Sequence, residues 1–176
     1  NMMSQFSEDY PFNLSIIVSD VSRESSIIKT FLDRYHKISN FTGYESKIVS
    51  VDAFLSELEL VNEICSRNNW KVSPFFELIQ SDNWLKNIYD FTAILKKFNT
   101  KYNKRYGFKL RCGGIHSRMY PTSEEITTAV INCRDKNIPM KFTAGLHHPI
   151  RYYNHGINVK EYGFFNIFIG SMMACK

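Results

Sequence analysis

The feature that most constrains this chain is a conflict inside its apolar runs. Short strand-like runs alternate with longer helix-like segments at intervals of roughly 25 to 35 residues, an order that implies parallel strands joined by right-handed crossovers. Parallel strands are normally covered on both faces and read as continuous apolar runs. These do not. Successive strand side chains point to opposite faces, so Phe108 and Leu110 share one face while Lys109 and Arg111 share the other. Met140 and Phe142 oppose Lys141 and Thr143 in the same way. Phe76 and Leu78 oppose Phe75 and Glu77, and Ile48 opposes Lys47, with Glu45 on the lysine side.

If the sheet curls, Glu45, Lys47, Glu77, Lys109, Arg111 and Lys141 converge in its interior. Four cations against two anions leave an excess of +2. Unpaired buried charge is costly, so such a set has to be paired, hydrated or bound to a ligand. An anionic substrate group satisfies the excess. The competing arrangement, an open antiparallel sheet with one wet face, does not need a helix between every pair of strands.

The expected strands are residues 14–18, 47–51, 72–79, 108–111 and 140–144. Expected helices are 22–38, 53–67 capped by Asp52, one opening at Ser81 or Asp82 and running to 98, and 122–136. The last of these opens with Thr122 and Glu125, the spacing of a capping box. Residues 101–107 and 145–162 read as loops, and a final apolar helix begins near Gly163.

At 176 residues the chain predicts a single domain over 1–176 and falls short of the ~250 residues of a complete (β/α)₈ barrel. The expected class is α/β: repeated βα units with parallel strands, TIM-barrel-like, incomplete or open. The apolar last helix predicts either a missing end or a homo-oligomer that covers it.

Composition bounds the function. A content of 44% hydrophobic residues excludes a disordered chain. Cys65, Cys112, Cys133 and Cys175 form no CxxC pair, no signal peptide is read, and no apolar stretch reaches the ~18 residues of a membrane span. A cytoplasmic protein with reduced thiols and no membrane association is expected. The net charge of +5 is mild, and the basic run Lys101, Lys104, Arg105 is broken by Tyr and Asn, so nucleic acid is set aside as a partner.

The candidate site residues follow from the charged face. Lys109 and Lys141 are the candidate nucleophiles, since a lysine in a cationic, partly desolvated pocket has a depressed pKa and forms Schiff bases. Either could instead pair with Glu77, which otherwise orients a lysine or moves a proton. Glu45, Lys47, Arg111 and Thr143 are expected to contact substrate. Gly113 and Gly114 let backbone N–H groups approach an anion. Beyond the fifth strand, His147 or His148 suits general acid–base chemistry, and Arg151 suits a carboxylate or phosphate. No cofactor is called for. Metal is not favoured either, because adjacent histidines rarely chelate one ion and no nearby Asp or Glu completes a set.

Four segments resemble a family of uncharacterised bacterial proteins. They are Phe76-Glu77-Leu78, then Phe108-Lys109-Leu110-Arg111-Cys112-Gly113-Gly114, then Lys141-Phe142-Thr143-Ala144-Gly145-Leu146-His147-His148-Pro149, and finally Gly163-Phe164-Phe165-Asn166. The resemblance covers about half the chain and implies relatives, not a reaction; members of that family continue past the last helix. The Lys-x-x-x-Gly-Gly and Lys-x-Thr-x-Gly strand ends are also distantly similar to Schiff-base aldolases of the deoxyribose-phosphate type, in the reverse order. That similarity implies a barrel with a lysine-lined mouth. The expected function is an enzyme acting on a small anionic metabolite, a lysine-dependent lyase or isomerase. The alternative is a non-catalytic binding or assembly module with a structural charge network.

Overall fold

The computed structural model describes residues 11–175. Lys176 and the opening segment, in which no signal peptide is read, lie outside them. The chain runs β1 (Phe12–Val18), α1 (Val21–Tyr35), β2 (Ser39–Ile48), α2 (Phe54–Arg67), β3 (Ser73–Leu78), α3 (Trp84–Tyr102), β4 (Gly107–Arg111), α4 (Ser123–Asp135) and β5 (Met140–Thr143). A hairpin, β6 (Tyr152–Asn154) and β7 (Val159–Glu161), and a last helix, α5 (Phe164–Ala174), complete it.

The five long strands form one parallel sheet in chain order, β1-β2-β3-β4-β5, curled into a half-barrel. Sequential order has a direct consequence. If every crossover has the same hand, every helix lands on the same face of the sheet. The helices pack in chain order, α1 on α2, α2 on α3, α3 on α4 and α4 on α5. The opposite face is concave, and among the described residues it has no helix layer. The alternation within the strands is therefore the expected open half-barrel, apolar outward to the helices and charged inward.

The core lies between sheet and helices and is built on aromatic rings. Phe54 of α2 stacks on Phe91 of α3 at 4.1 Å and 9°. Phe91 meets Phe108 of β4 edge-on at 5.4 Å, and Phe54 meets Phe76 of β3 at the same distance. Tyr44, Leu58, Ile88 and Leu95 fill the remaining space and are fully buried. Offset and edge-to-face pairs of this kind add to the hydrophobic gain of burying each ring.

Local chemistry sets several boundaries. Asp20 caps α1 by accepting from the Arg23 N–H, and Glu24 Oε1 accepts from the N–H groups of Ser19 and Asp20. The capping box at Thr122 and Glu125 opens α4 as the spacing predicts. Asp52 does not cap α2. Ala53 holds that position without a side-chain bond, and a backbone turn from Phe54 N–H to the Val51 carbonyl starts the helix.

The second strand begins at Ser39 and ends at Ile48, earlier than 47–51. Its partner β3 ends at Leu78, opposite Ile48, so Val49 has no strand to pair with and is exposed. Pro74 is accommodated because the ladder to β4 starts only at Phe75. The first helix stops at Tyr35 and α3 runs on to Tyr102, where Asn103 closes it in the left-handed region at φ 50°. Within 145–162, read from sequence as loop, lies the antiparallel pair β6–β7.

Phe91→Ala removes a ring that bridges two helices and a strand. It should lower unfolding free energy by about 3–5 kcal/mol, measurable by urea denaturation, with the m-value unchanged.

Candidate functional site

Strand register places the charges in rows across the concave face. Lys47, Glu77, Lys109 and Lys141 lie in one row across β2 to β5, and Glu45 lies one row towards the strand N-termini. Lys109 Nζ sits 2.9 Å from Glu45 Oε2 and 3.0 Å from Glu77 Oε2. Lys141 Nζ pairs with Glu45 Oε1, and Ser15 Oγ of β1 donates to the same oxygen at 2.9 Å. Arg111 Nε donates to Glu77 Oε1 at 3.0 Å, and Nη1 donates to the Gly113 carbonyl at 3.1 Å.

The Lys141–Glu45 contact spans β5 to β2. Adjacent strands are ~4.8 Å apart, so three spacings on a flat sheet would separate these strands by ~14 Å. The two side chains meet because the sheet is curled and their tips converge. Glycine takes the positions where the concave face is crowded: a Cβ at Gly107 would overlap the Phe75 ring.

Five of the six expected charges thus form one connected network, with three cations and two anions. Glu45, Glu77 and Lys109 are 6%, 4% and 4% exposed. Lys47 is the sixth. It stands in register beside Glu77, but Glu77 gives its oxygens to Lys109 and Arg111. Lys47 is exposed and makes no ion pair among the described residues, so the network's +1 and Lys47 together account for the predicted +2 excess.

The lysine electrostatics differ from expectation. Burial alone would pull Lys109 down, but the ion pairs of its ammonium with Glu45 and Glu77 outweigh that and raise its pKa above the ordinary lysine value. The pocket around Lys109 is anionic, not cationic, and holds it as an ammonium. Burial would likewise raise Glu45, but donors from Lys109, Lys141 and Ser15 bring it down to about 2. Lys141 is the more accessible lysine, with its side chain 37% exposed.

A cleft of about 530 Å³ opens at the C-terminal ends of β3 and β4. Lys47, Arg111, His116 and Arg118 line it, with Glu77 as its one carboxylate. The C-terminal edge of parallel strands is where α/β folds bind ligands. His116 and Arg118 reach the cleft through the turn after β4: Gly113 and Gly114 let the chain double back, and a short 3-10 turn, Ser117–Met119, follows. A side chain on Gly114 would overlap Met119. Tyr120 ties this turn down by donating to the Gly114 carbonyl at 3.0 Å.

The other predicted residues lie apart from the cleft. Gly113 packs against Gly145, which has φ +67° and lies where a Cβ would overlap the Cys112 carbonyl. Thr143 stands beside Arg111 in the β4–β5 register. His147 and His148 are both exposed. The His148 ring meets Tyr152 at 4.1 Å, and His147 contributes to the electrostatics of Glu161. Glu161 is 2% exposed and accepts from Tyr152 Oη at 2.8 Å and Asn154 Nδ2 at 2.6 Å, holding the hairpin together. Arg151 lies over the Tyr162 ring at 4.6 Å. The histidine pair therefore belongs to the hairpin side, and the histidine that lines the cleft is His116.

Cys112 is fully buried and its thiol is pushed up to about 12 by desolvation, which leaves it inert. All four cysteines are free. Among the described residues no three His, Cys, Asp or Glu side chains gather in metal-ligating geometry, and no helix is long and apolar enough to cross a membrane. Comparison of the chain with protein families, curated proteins and solved structures finds no match.

Lys109→Met leaves two buried carboxylates facing each other without their shared cation. It should cost about 3–5 kcal/mol at pH 7, read by urea denaturation. Because Glu45 has a depressed pKa in the folded wild type, its contribution is complete above its unfolded value of 4.5 and is lost as pH falls towards 2. The deficit of Lys109→Met should therefore shrink between pH 6 and pH 3, and a deficit equally large at pH 3 would count against the network.

Proposed function

We propose that the protein binds a small anionic metabolite, bearing phosphate or carboxylate, in the cleft at the C-terminal ends of β3 and β4. One observation carries this reading: Lys47, Arg111, His116 and Arg118 converge there against a single carboxylate that is already paired. Arg111 is suited to the role because Glu77 and the Gly113 carbonyl fix its guanidinium. Three of its N–H groups remain for a ligand, and a pre-positioned fork loses little entropy on binding a bidentate anion.

The buried network gives the site its form. Its charges compensate one another, and their task in this reading is to hold the curled sheet and aim Arg111. Neither network lysine lines the cleft: Lys109 is locked as an ammonium between two carboxylates and Lys141 is paired with Glu45. A lysine-dependent lyase or isomerase built on this fold would therefore need Lys141 to leave Glu45. Proton transfer near neutral pH falls to His116, the histidine in the cleft. The closed Lys109–Glu45–Glu77 triad favours a second reading, in which the protein binds its ligand without transforming it.

Two measurements test this. Calorimetric titration should show that inorganic phosphate or a small carboxylate binds, and that Lys47→Ala or Arg118→Ala weakens it about 10- to 100-fold, the equivalent of one charge-assisted hydrogen bond. Unchanged affinity in both variants would remove the cleft from consideration. Borohydride reduction with small aldehydes and keto acids, read by mass spectrometry, separates the two chemistries. A stoichiometric adduct confined to Lys141, with the exposed lysines unlabelled, supports Schiff-base chemistry, and its absence leaves the binding module.

A further inference from the structure

Within that anion site, and resting on it, we infer that the ligand carries its anionic group on an apolar body and is not a polyhydroxylated sugar phosphate. The cleft has two unlike kinds of lining. The cations come from the ends of β2 and β4 and from the turn that follows β4. Leu78, Ile79, Trp84, Leu110 and Met119 supply apolar side chains, and Glu77, Gln80 and Ser117 complete the lining.

Leu78, Leu110 and Trp84 form the floor, their surfaces almost wholly packed into the core at 5%, 2% and 1% exposure, so the apolar area left for a ligand lies mainly on Ile79 and Met119. The one polar atom among their side chains, Trp84 Nε1, already donates to the Leu78 carbonyl at 3.4 Å. The side chains of this floor therefore offer a ligand no hydrogen bond. A hydroxyl pressed against it would lose its water and gain no partner, whereas an aryl or alkyl group would gain by leaving water. Gln80 and Ser117 are the neutral polar side chains of the lining, too few for a chain of hydroxyls. Ile79 is 38% exposed and Met119 is half-buried across the turn, so both have surface left to cover. Met119 is also unbranched and can adapt to the shape of an apolar group.

The volume fits. About 530 Å³ lies within the range of small-molecule sites, and a bare phosphate would leave most of it to water. The charge pattern and the apolar floor together select an amphipathic anion, such as an aryl or alkyl phosphate or an aryl-substituted carboxylate.

The test compares probes matched in charge and different in body. Inorganic phosphate, phenyl phosphate and ribose 5-phosphate are titrated into the protein by calorimetry, with acetate and phenylacetate as the carboxylate pair. Phenyl phosphate or phenylacetate should bind at least tenfold tighter than its parent anion, and ribose 5-phosphate no tighter than phosphate. Ile79→Asn lies at the partly exposed edge and should fold normally, as circular dichroism will show. It should bring the aryl probe to within about threefold of the parent anion. Equal affinities across each series, or tightest binding by ribose 5-phosphate, overturn the apolar-body inference and leave the anion site standing. Binding by none of the probes overturns both.

Discussion

The structure depends on one arrangement: a lysine ammonium held between two carboxylates from different strands on the uncovered face of a parallel sheet. Lys109 lies 2.9 Å from Glu45 and 3.0 Å from Glu77. A sheet wound in sequential order has its helices on one side, so its other face must be closed by curling, by a partner or by its own side chains. Here curvature and charge pairing require each other. Glu45 can reach Lys141 only if β2 and β5 tilt towards one another, and the charges can sit 4–6% exposed only if each has a counter-ion within reach. An apolar concave face would have left a large open hydrophobic surface, and an unpaired charged face would have stayed flat and wet.

The same arrangement determines what is left for a ligand. A carboxylate has two oxygens, and Glu77 spends one on Lys109 and one on Arg111. Its third cationic neighbour in register, Lys47, goes without. The network thus exports one positive charge to the C-terminal rim, where Arg118 and His116 arrive from the following turn. Ordering is also exported: Arg111 is fixed on both sides before any ligand arrives. The interior of the half-barrel is thus filled by paired charges, and the cation left without a partner in that network, Lys47, stands at its rim.

The alternation in β3, β4 and β5 was legible because period-2 patterning is local, and each of Glu77, Lys109, Arg111 and Lys141 points where its parity puts it. The capping box at Thr122 was legible for the same reason. What could not be read locally is what depends on partners. The end of β2 is set by where β3 stops, and Ser39 to Tyr44 carries too many polar residues and a glycine to stand out as a strand. The sign of the Lys109 shift depends on which charges become neighbours. Counting six charges suggests a cationic pocket, yet the two groups nearest Lys109 are both carboxylates, and together they outweigh the desolvation of one lysine. The signal for His116 and Arg118 was their position, two to four residues beyond the Gly113-Gly114 turn at a strand's C-terminal end, but only the doubled-back turn brings them to Arg111.

His147 and His148, the acid–base pair expected from sequence, show why position beyond a strand is not sufficient. His147 and His148 follow β5 as His116 follows β4, yet they lie outside the cleft. The difference is in what each turn is tied to. After β4, Tyr120 binds the Gly114 carbonyl and Met119 covers Gly114, so the chain folds back over the strand ends. After β5, Ala144 and Gly145 both take positive φ, which turns the chain sharply away. Buried Glu161 then anchors it from the other side through Tyr152 and Asn154. A buried carboxylate needs its donors more than an exposed histidine needs a site, so the β6–β7 hairpin forms around Glu161 and carries the histidine pair with it. Placement of the titrating groups on this half-barrel follows the demands of its buried charges, at Glu45 and Glu77 within the sheet and at Glu161 beyond it.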